Sequence, residues 1–134
     1  MAKRIMIMGC GRVGGALSQL LAEQGNQVTI IDINADNFRR LRSTPNLQPL
    51  VADGNSVDDL RIAGIEQTDV FMAVSAQDTI NVLAAQTAQV TFQVPIVVCR
   101  VNDPVRQDIY EQLGLRTVST TELTAKLVLE AMER

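Results

Sequence analysis

The sequence predicts an α/β domain built on a Rossmann-like, doubly wound, six-stranded parallel sheet. Three observations predict it. Strand-type and helix-type patterns alternate along all 134 residues. A glycine-spaced turn, Gly9-Cys10-Gly11-Arg12-Val13-Gly14, joins the first apolar run to the first helix pattern. A carboxylate, Asp32, closes the second strand. Alternating strands and helices need right-handed crossovers and a parallel sheet covered on both faces.

The first strand is expected over residues 3–8, with β-branched Ile5 and Ile7. A helix follows over 13–24, where apolar residues at 13, 16, 17, 20 and 21 keep the 3.6 period of a helix lying on a sheet. Gly25 supplies its left-handed end. Gln27–Asp32 is the second strand and 35–42 a short helix closed by Pro45. A weaker third strand spans 47–52. Ser56 then caps a helix to Ala63, with Asp58 and Asp59 in the first turn, where the dipole favours acids. The fourth, central strand is 69–74, and residues 77–90 are expected to form the longest helix. Pro95 precedes a fifth strand over 96–101. Pro104 opens a helix to Gln112, a position that tolerates the missing N–H. Leu113-Gly114-Leu115-Arg116-Thr117 supplies a stop and a short sixth strand. An amphipathic helix over 120–132 ends the pattern, apolar at 123, 127, 128 and 131; that stripe either covers the sheet or contacts a second copy.

Composition narrows the function classes. Hydrophobic content of 46% with 20% charge suits a single globular domain over residues 1–134. A net charge of −3 supplies none of the basic surface on which nucleic-acid affinity rests. With no histidine, a His general base and a Ser-His-Asp triad are excluded, and a zinc site is not expected. Cys10 and Cys99 form no CxxC and no metal spacing, and read as small buried residues in a reducing compartment. No apolar run approaches the roughly 20 residues of a membrane span, and no signal-peptide pattern precedes the first strand, so the expectation is a cytoplasmic domain.

The glycine turn is the chemical centre. Gly9 permits a tight turn, Gly11 lets backbone approach a pyrophosphate, and Gly14 lets helix and strand pack closely. The helix start then offers unpaired N–H groups to a phosphate. Asp32 lies 18 residues after Gly14, where a ribose-binding carboxylate belongs. It accepts from 2′- and 3′-hydroxyls but repels a 2′-phosphate, and the following Ile33 and Asn34 bring no arginine, which disfavours NADP. These residues do not separate NAD(H) from ATP, ADP or AMP, since all share adenosine and a phosphate. A dehydrogenase also needs a substrate region with a His, Lys or Tyr for proton transfer. The only tyrosine, Tyr110, reads as a packing residue, and the two lysines, Lys3 and Lys126, as solvated.

Several ordered motifs together resemble the N-terminal domain of RCK proteins (regulators of potassium conductance), also called the Trk/Ktr N-terminal domain. They are the turn at 9–14, Val28-Thr29-Ile30-Ile31-Asp32, Val51-Ala52-Asp53-Gly54, Leu60 with Ala63-Gly64-Ile65, Asp78 with Asn81, Arg100-Val101-Asn102-Asp103, and Leu113-Gly114. The family commonly has glycine where Ala52 stands. The resemblance implies a nucleotide-binding regulatory domain that forms dimers or larger rings against a membrane-embedded potassium channel or transporter. Gly9, Cys10, Gly11, Arg12, Val13 and Gly14 would line the phosphate, Asp32 with Ile33 the ribose, and Ala52, Asp53 and Gly54 the adenine. Ser75, Ala76 and Asp78 would lie beside the crevice. Arg100 would meet phosphate or pair with Asp78, and Arg12 would reach a nucleotide held by the partner subunit.

The expected function is therefore a cytoplasmic sensor of adenine nucleotide or NAD(H) that controls potassium transport without catalysis. The alternatives are an NAD(H) redox sensor or the NAD-binding half of an oxidoreductase. The opening Met-Ala-Lys-Arg reads as a natural start with no pore segment before it, and the chain as either a stand-alone subunit or a piece of a longer one.

Overall fold

The computed structural model describes residues 2–134. Strands β1 (Arg4–Met8), β2 (Gln27–Asp32), β3 (Leu47–Val51), β4 (Val70–Ala73), β5 (Ile96–Arg100) and β6 (Arg116–Val118) form one sheet, in the order β3-β2-β1-β4-β5-β6. Every pairing is parallel, with Ile7 beside Ile30 on one side and Met72 on the other. The chain winds outward from β1 to β3, returns to β4, and winds outward again. That reversal opens a crevice at the carboxyl ends of β1 and β4, the place where such sheets bind ligands.

The central strands are apolar on both faces, as a sheet covered on both sides requires. One core holds Met6, Met8, Ile31, Phe71, Ala73, Val97 and Cys99 beneath α2 (Val57–Ile62) and α3 (Asp78–Gln86). The other packs Ile5, Ile7, Val28, Ile30 and Val70 against Val13, Leu17 and Leu21 of α1 (Arg12–Glu23). The edge strand β3 carries Pro49, which is tolerated there because only one side of the strand has a neighbour to bond.

Most elements fall within two residues of their expected bounds. The segment expected as a short helix at 35–42 is a 3₁₀ helix, Ala35–Arg40, whose Asn34 side chain accepts the Asp36 N–H. The expected long helix at 77–90 is α3 followed by a wider π-type segment, Thr87–Thr91, so the longest α-helix is instead α5 (Thr120–Glu133). The helix α4 (Pro104–Gln112) starts on Asp103, whose carboxylate accepts the Val105 N–H.

The final helix removes one of the two expectations for its stripe. Residues 121–134 are all exposed, including Leu123, Leu127, Val128, Leu129 and Met132. Their apolar surface does not cover the sheet. Among the described residues every buried side-chain polar atom has a hydrogen-bond partner, so no polar vacancy weakens the core.

Phe71 is the largest fully buried side chain, in the middle of β4. Replacing it with Ala should cost about 3–5 kcal/mol, read as a drop in the urea unfolding midpoint at unchanged slope.

Candidate nucleotide-binding site

The site grows from the β1–α1 turn. Gly9 has φ +105°, and a Cβ there would lie 2.8 Å from the Ser75 nitrogen, so only glycine lets β1 turn against the end of β4. At Gly14 the constraint is tighter: a Cβ would sit 1.8 Å from the Gly9 carbonyl oxygen. Gly11 is different. A Cβ there meets nothing within 4 Å, which leaves open space directly at the helix start.

The start of α1 is electrostatically prepared for an anion. Gly11 makes no side-chain cap, and no acid lies in the first turn. By contrast α2, α4 and α5 are capped by Ser56, Asp103 and Ser119. The first N–H groups of α1 have no acceptor within the helix, and they point their partial positive charge at the open space. Arg12 adds an exposed guanidinium that makes no ion pair among the described residues.

Asp32 stands across the turn, half-buried at the end of β2. Its Oδ2 accepts the Cys10 N–H at 2.8 Å, and its Oδ1 accepts from the Asn34 N–H at 2.8 Å and Asn37 Nδ2 at 3.1 Å. Three donors fix the carboxylate, while lone pairs remain for hydroxyl donors. A cavity of about 200 Å³ opens beside it, lined by Met8, Gly9, Asp32, Ile33, Ala52–Asn55, Ser75–Gln77 and Ile80.

The far wall is a tight acidic turn. Asp53 accepts the Asn55 N–H on its carboxylate, and its own N–H donates to Asp59 Oδ2 at 2.8 Å. Gly54 lies beneath it against Met8; a Cβ there would fall 2.0 Å from the Met8 sulfur, so the Met8 side chain would have to move. Ser75 on the third wall is held by the fully buried Asn81, which accepts the Ser75 N–H and O–H and donates to the Ser75 carbonyl.

The structure thus brings Gly9, Asp32, Ile33, Ala52, Asp53, Gly54, Ser75 and Ala76 around one cavity. Gly11, Arg12 and Gly14 form the adjoining turn and helix start. Cys10 and Val13 send their side chains into the core below it. Asp78 and Arg100 are engaged elsewhere. Both Asp78 oxygens accept backbone N–H groups, from Asn102 and Asp103, so it neither caps its own helix nor pairs with Arg100. The Arg100 guanidinium donates to the Val74 carbonyl, Asn102 and Thr120. Sequence reasoning missed Met8, Asn55, Gln77 and Ile80 as lining residues. Gln77 and Ile80 were legible as an i, i+3 pair at a helix start following the crevice strand.

The cysteines are inert as placed. Burial pushes the Cys10 thiol up, the Asp32 charge adds to this, and Arg40 opposes it. Burial, then the charge of Asp78, pushes Cys99 up to about 12.

A model of the TrkA-N domain matches residues 5–121. The chain belongs to the TrkA-N domain family. The Trk system potassium uptake protein TrkA of Streptomyces coelicolor (strain ATCC BAA-471 / A3(2) / M145) is 44% identical over 128 residues, covering 96% of this chain and 57% of that protein. The chain therefore spans little more than half the length of that relative. The TrkA-N domain of inner membrane protein ybaL from Escherichia coli superposes with a TM-score of 0.84 at 14% identity, covering 98% of this chain and 97% of that one. The Shewanella denitrificans Kef CTD in AMP bound form gives 0.80 at 20% identity, over 97% and 80% of the two chains. At those identities the likeness is one of fold. Among the described residues no helix is long and apolar enough to cross a membrane, and no cluster of His, Cys, Asp and Glu is placed to hold a metal.

Two outcomes follow for this TrkA-N domain. Gly14→Ala should destabilise the fold by about 1–3 kcal/mol, because backbone rather than a side chain must yield, with the thermal midpoint as readout. Cys99 ionises near its ordinary value once unfolded, so its raised folded pKa contributes stability present below about pH 9 and lost progressively toward pH 12. Cys99→Ala should flatten that alkaline loss in a pH series of urea midpoints.

Proposed function

We propose that this chain is a nucleotide-sensing regulatory domain of a potassium transport system, acting at the cytoplasmic face of the membrane through a membrane-embedded transporter or channel subunit. Residues 1–134 would form the nucleotide-binding unit. One observation carries the reading: a fixed ribose-type carboxylate and an uncapped helix start meet at the edge of a single cavity. The potassium-uptake name of the TrkA relative supports the transport role, and the AMP in the Kef structure supports an adenine nucleotide as ligand.

In this reading the N–H groups at Gly11–Gly14 hold phosphate, and Asp32 accepts from the ribose hydroxyls. Asp53, Gly54 and Asn55 border the base, with Ile33 and Ile80 as apolar walls. Arg12, exposed at the adjoining helix start and without an ion pair among the described residues, extends toward the end of a longer phosphate chain, including one held by a neighbouring copy. Such a copy also answers the exposed apolar surface of α5, so a homodimer is part of the proposal; larger rings would be built from it. The domain does no chemistry of its own. It shifts between two packings, which requires that competing nucleotides bind the two with different affinity.

NAD(H) shares the adenosine half and remains the competing ligand, as a redox signal or as the cofactor of an oxidoreductase to which this chain would contribute the binding half. Titration calorimetry against AMP, ADP, ATP, NADH and NADPH separates these. We expect the adenine nucleotides to bind and NADPH to fail. Preference for NADH over all three mononucleotides would overturn the adenine-nucleotide reading in favour of the redox one.

Asp32→Ala should weaken adenine-nucleotide binding by about tenfold or more, the loss of hydrogen bonds to a charged acceptor. Arg12→Ala should weaken ATP more than AMP. Equal binding of ATP and ADP, with an unchanged solution scattering profile of the dimer, would rule out the sensing mechanism.

A further inference from the structure

Between the cavity and α5 lies a polar network that the binding site does not use. Asn81, fully buried on α3, donates one amide hydrogen to the Ser75 carbonyl and the other to the Arg100 carbonyl at 3.0 Å. The end of β5 is thereby tied to the cavity wall through a single amide. Asp78 fixes the next stretch by accepting the Asn102 and Asp103 N–H groups at 2.9 and 3.0 Å. Asn102 in turn accepts the Ser119 hydroxyl on its backbone oxygen, and Thr120 Oγ1 and Arg100 Nε on its side-chain oxygen.

Arg100 is the part of this frame that joins its two ends. Its guanidinium donates to the Val74 carbonyl at 3.4 Å, beside the lining residue Ser75, and to Thr120 Oγ1 at 3.4 Å, on the first residue of α5. The third bond, to Asn102, is 3.2 Å. All three are longer than a well-formed charge-assisted bond, and among the described residues Arg100 has no carboxylate partner. A half-buried cation held by three long, neutral contacts re-forms them at little cost. The helix it touches is equally unconstrained, since α5 is exposed from residue 121 onward.

Resting on the nucleotide reading above, we propose that Arg100 is a positioning residue that couples the cavity wall at Val74–Ser75 to the direction of α5, with Thr120 as the receiving contact. A ligand that shifts the β4–α3 loop changes which of the three acceptors Arg100 holds, and α5 turns with it. Asn81 and Asp78 are the fixed frame against which that exchange is made.

The test uses this chain, AMP as probe, and two variants, Arg100→Met and Thr120→Val. Calorimetry reads binding, and hydrogen exchange reads the first-turn amides of α5 with and without AMP. In the native chain saturating AMP should change exchange at residues 120–124 by roughly fivefold or more, the lower end of measured couplings. Both variants should bind AMP nearly as the native chain does, yet lose that response. A purely structural role would lower stability without removing the difference between free and bound exchange. Thr120→Val removes only the far contact, so it keeps the idea testable if Arg100→Met folds poorly. Should either folded variant keep the native response, or should α5 in the native chain ignore bound AMP, the coupling is wrong. Should the native chain bind none of the adenine nucleotides, the functional reading fails first and takes this one with it, and calorimetry alone reveals that case.

Discussion

The site depends on one close approach, the backbone of Gly14 crossing the carbonyl of Gly9 with no room for a single methyl group between them. That crossing brings the start of α1 to the carboxyl end of β1 rather than letting the helix stand off the sheet. Only then can the Cys10 N–H reach Asp32 across 22 residues of chain, and only then does the carboxylate face the helix start. The positive φ of Gly9 completes the arrangement, since it seats Ser75 against the turn and closes the crevice between β1 and β4. Two glycines thus set the distance between a partial positive charge and a fixed negative one.

That distance separates two opposite electrostatic settings: the uncapped helix start favours an anion, whereas Asp32, on the wall of the adjoining cavity, repels one and can accept from hydroxyl donors. The chain as a whole is acidic, with a net charge of −3, so the anion preference is local and comes from backbone geometry more than from surface charge. The other helix starts differ in kind: side-chain caps at α2, α4 and α5 occupy N–H groups that α1 leaves exposed, and α3, uncapped like α1, carries Asp78 in its first turn.

The second half of the sheet is organised by side-chain amides and a carboxylate, with Asn81 fully buried and Asp78 and Asn102 half-buried, instead of by glycines. Asn81 bonds backbone groups of Ser75 and Arg100, Asp78 accepts the N–H groups of Asn102 and Asp103, and the Asn102 side chain accepts from Arg100 and Thr120, which makes the loops after β4 and β5 one connected body. Fully bonded networks of this kind rigidify their surroundings, because breaking any member leaves an unsatisfied polar group. The network ends at Thr120, and beyond it α5 presents Leu123, Leu127, Val128, Leu129 and Met132 to solvent.

Hydrophobic period and turn chemistry, read along the chain, determined the element order, the parallel doubly wound sheet, and the pairing of Gly9–Gly14 with Asp32. These features are local or repeat at short intervals, so each residue carries its own signal. The walls supplied by Met8 and Asn55 had no such signal, because a lining residue is defined by what faces it from another strand; Gln77 and Ile80 carried only the weak one of an i, i+3 pair at a helix start. Asp78 and Arg100 show the limit most clearly. Side by side as an acid and a base near one crevice, they suggested an ion pair or a phosphate contact, but neither reaches the other. Backbone N–H groups 24 and 25 residues away claim the Asp78 carboxylate, and a carbonyl, an amide oxygen and a hydroxyl from three segments claim the Arg100 guanidinium. Which of several possible partners a charged group takes is settled by distance after folding, and only the tertiary structure contains those distances.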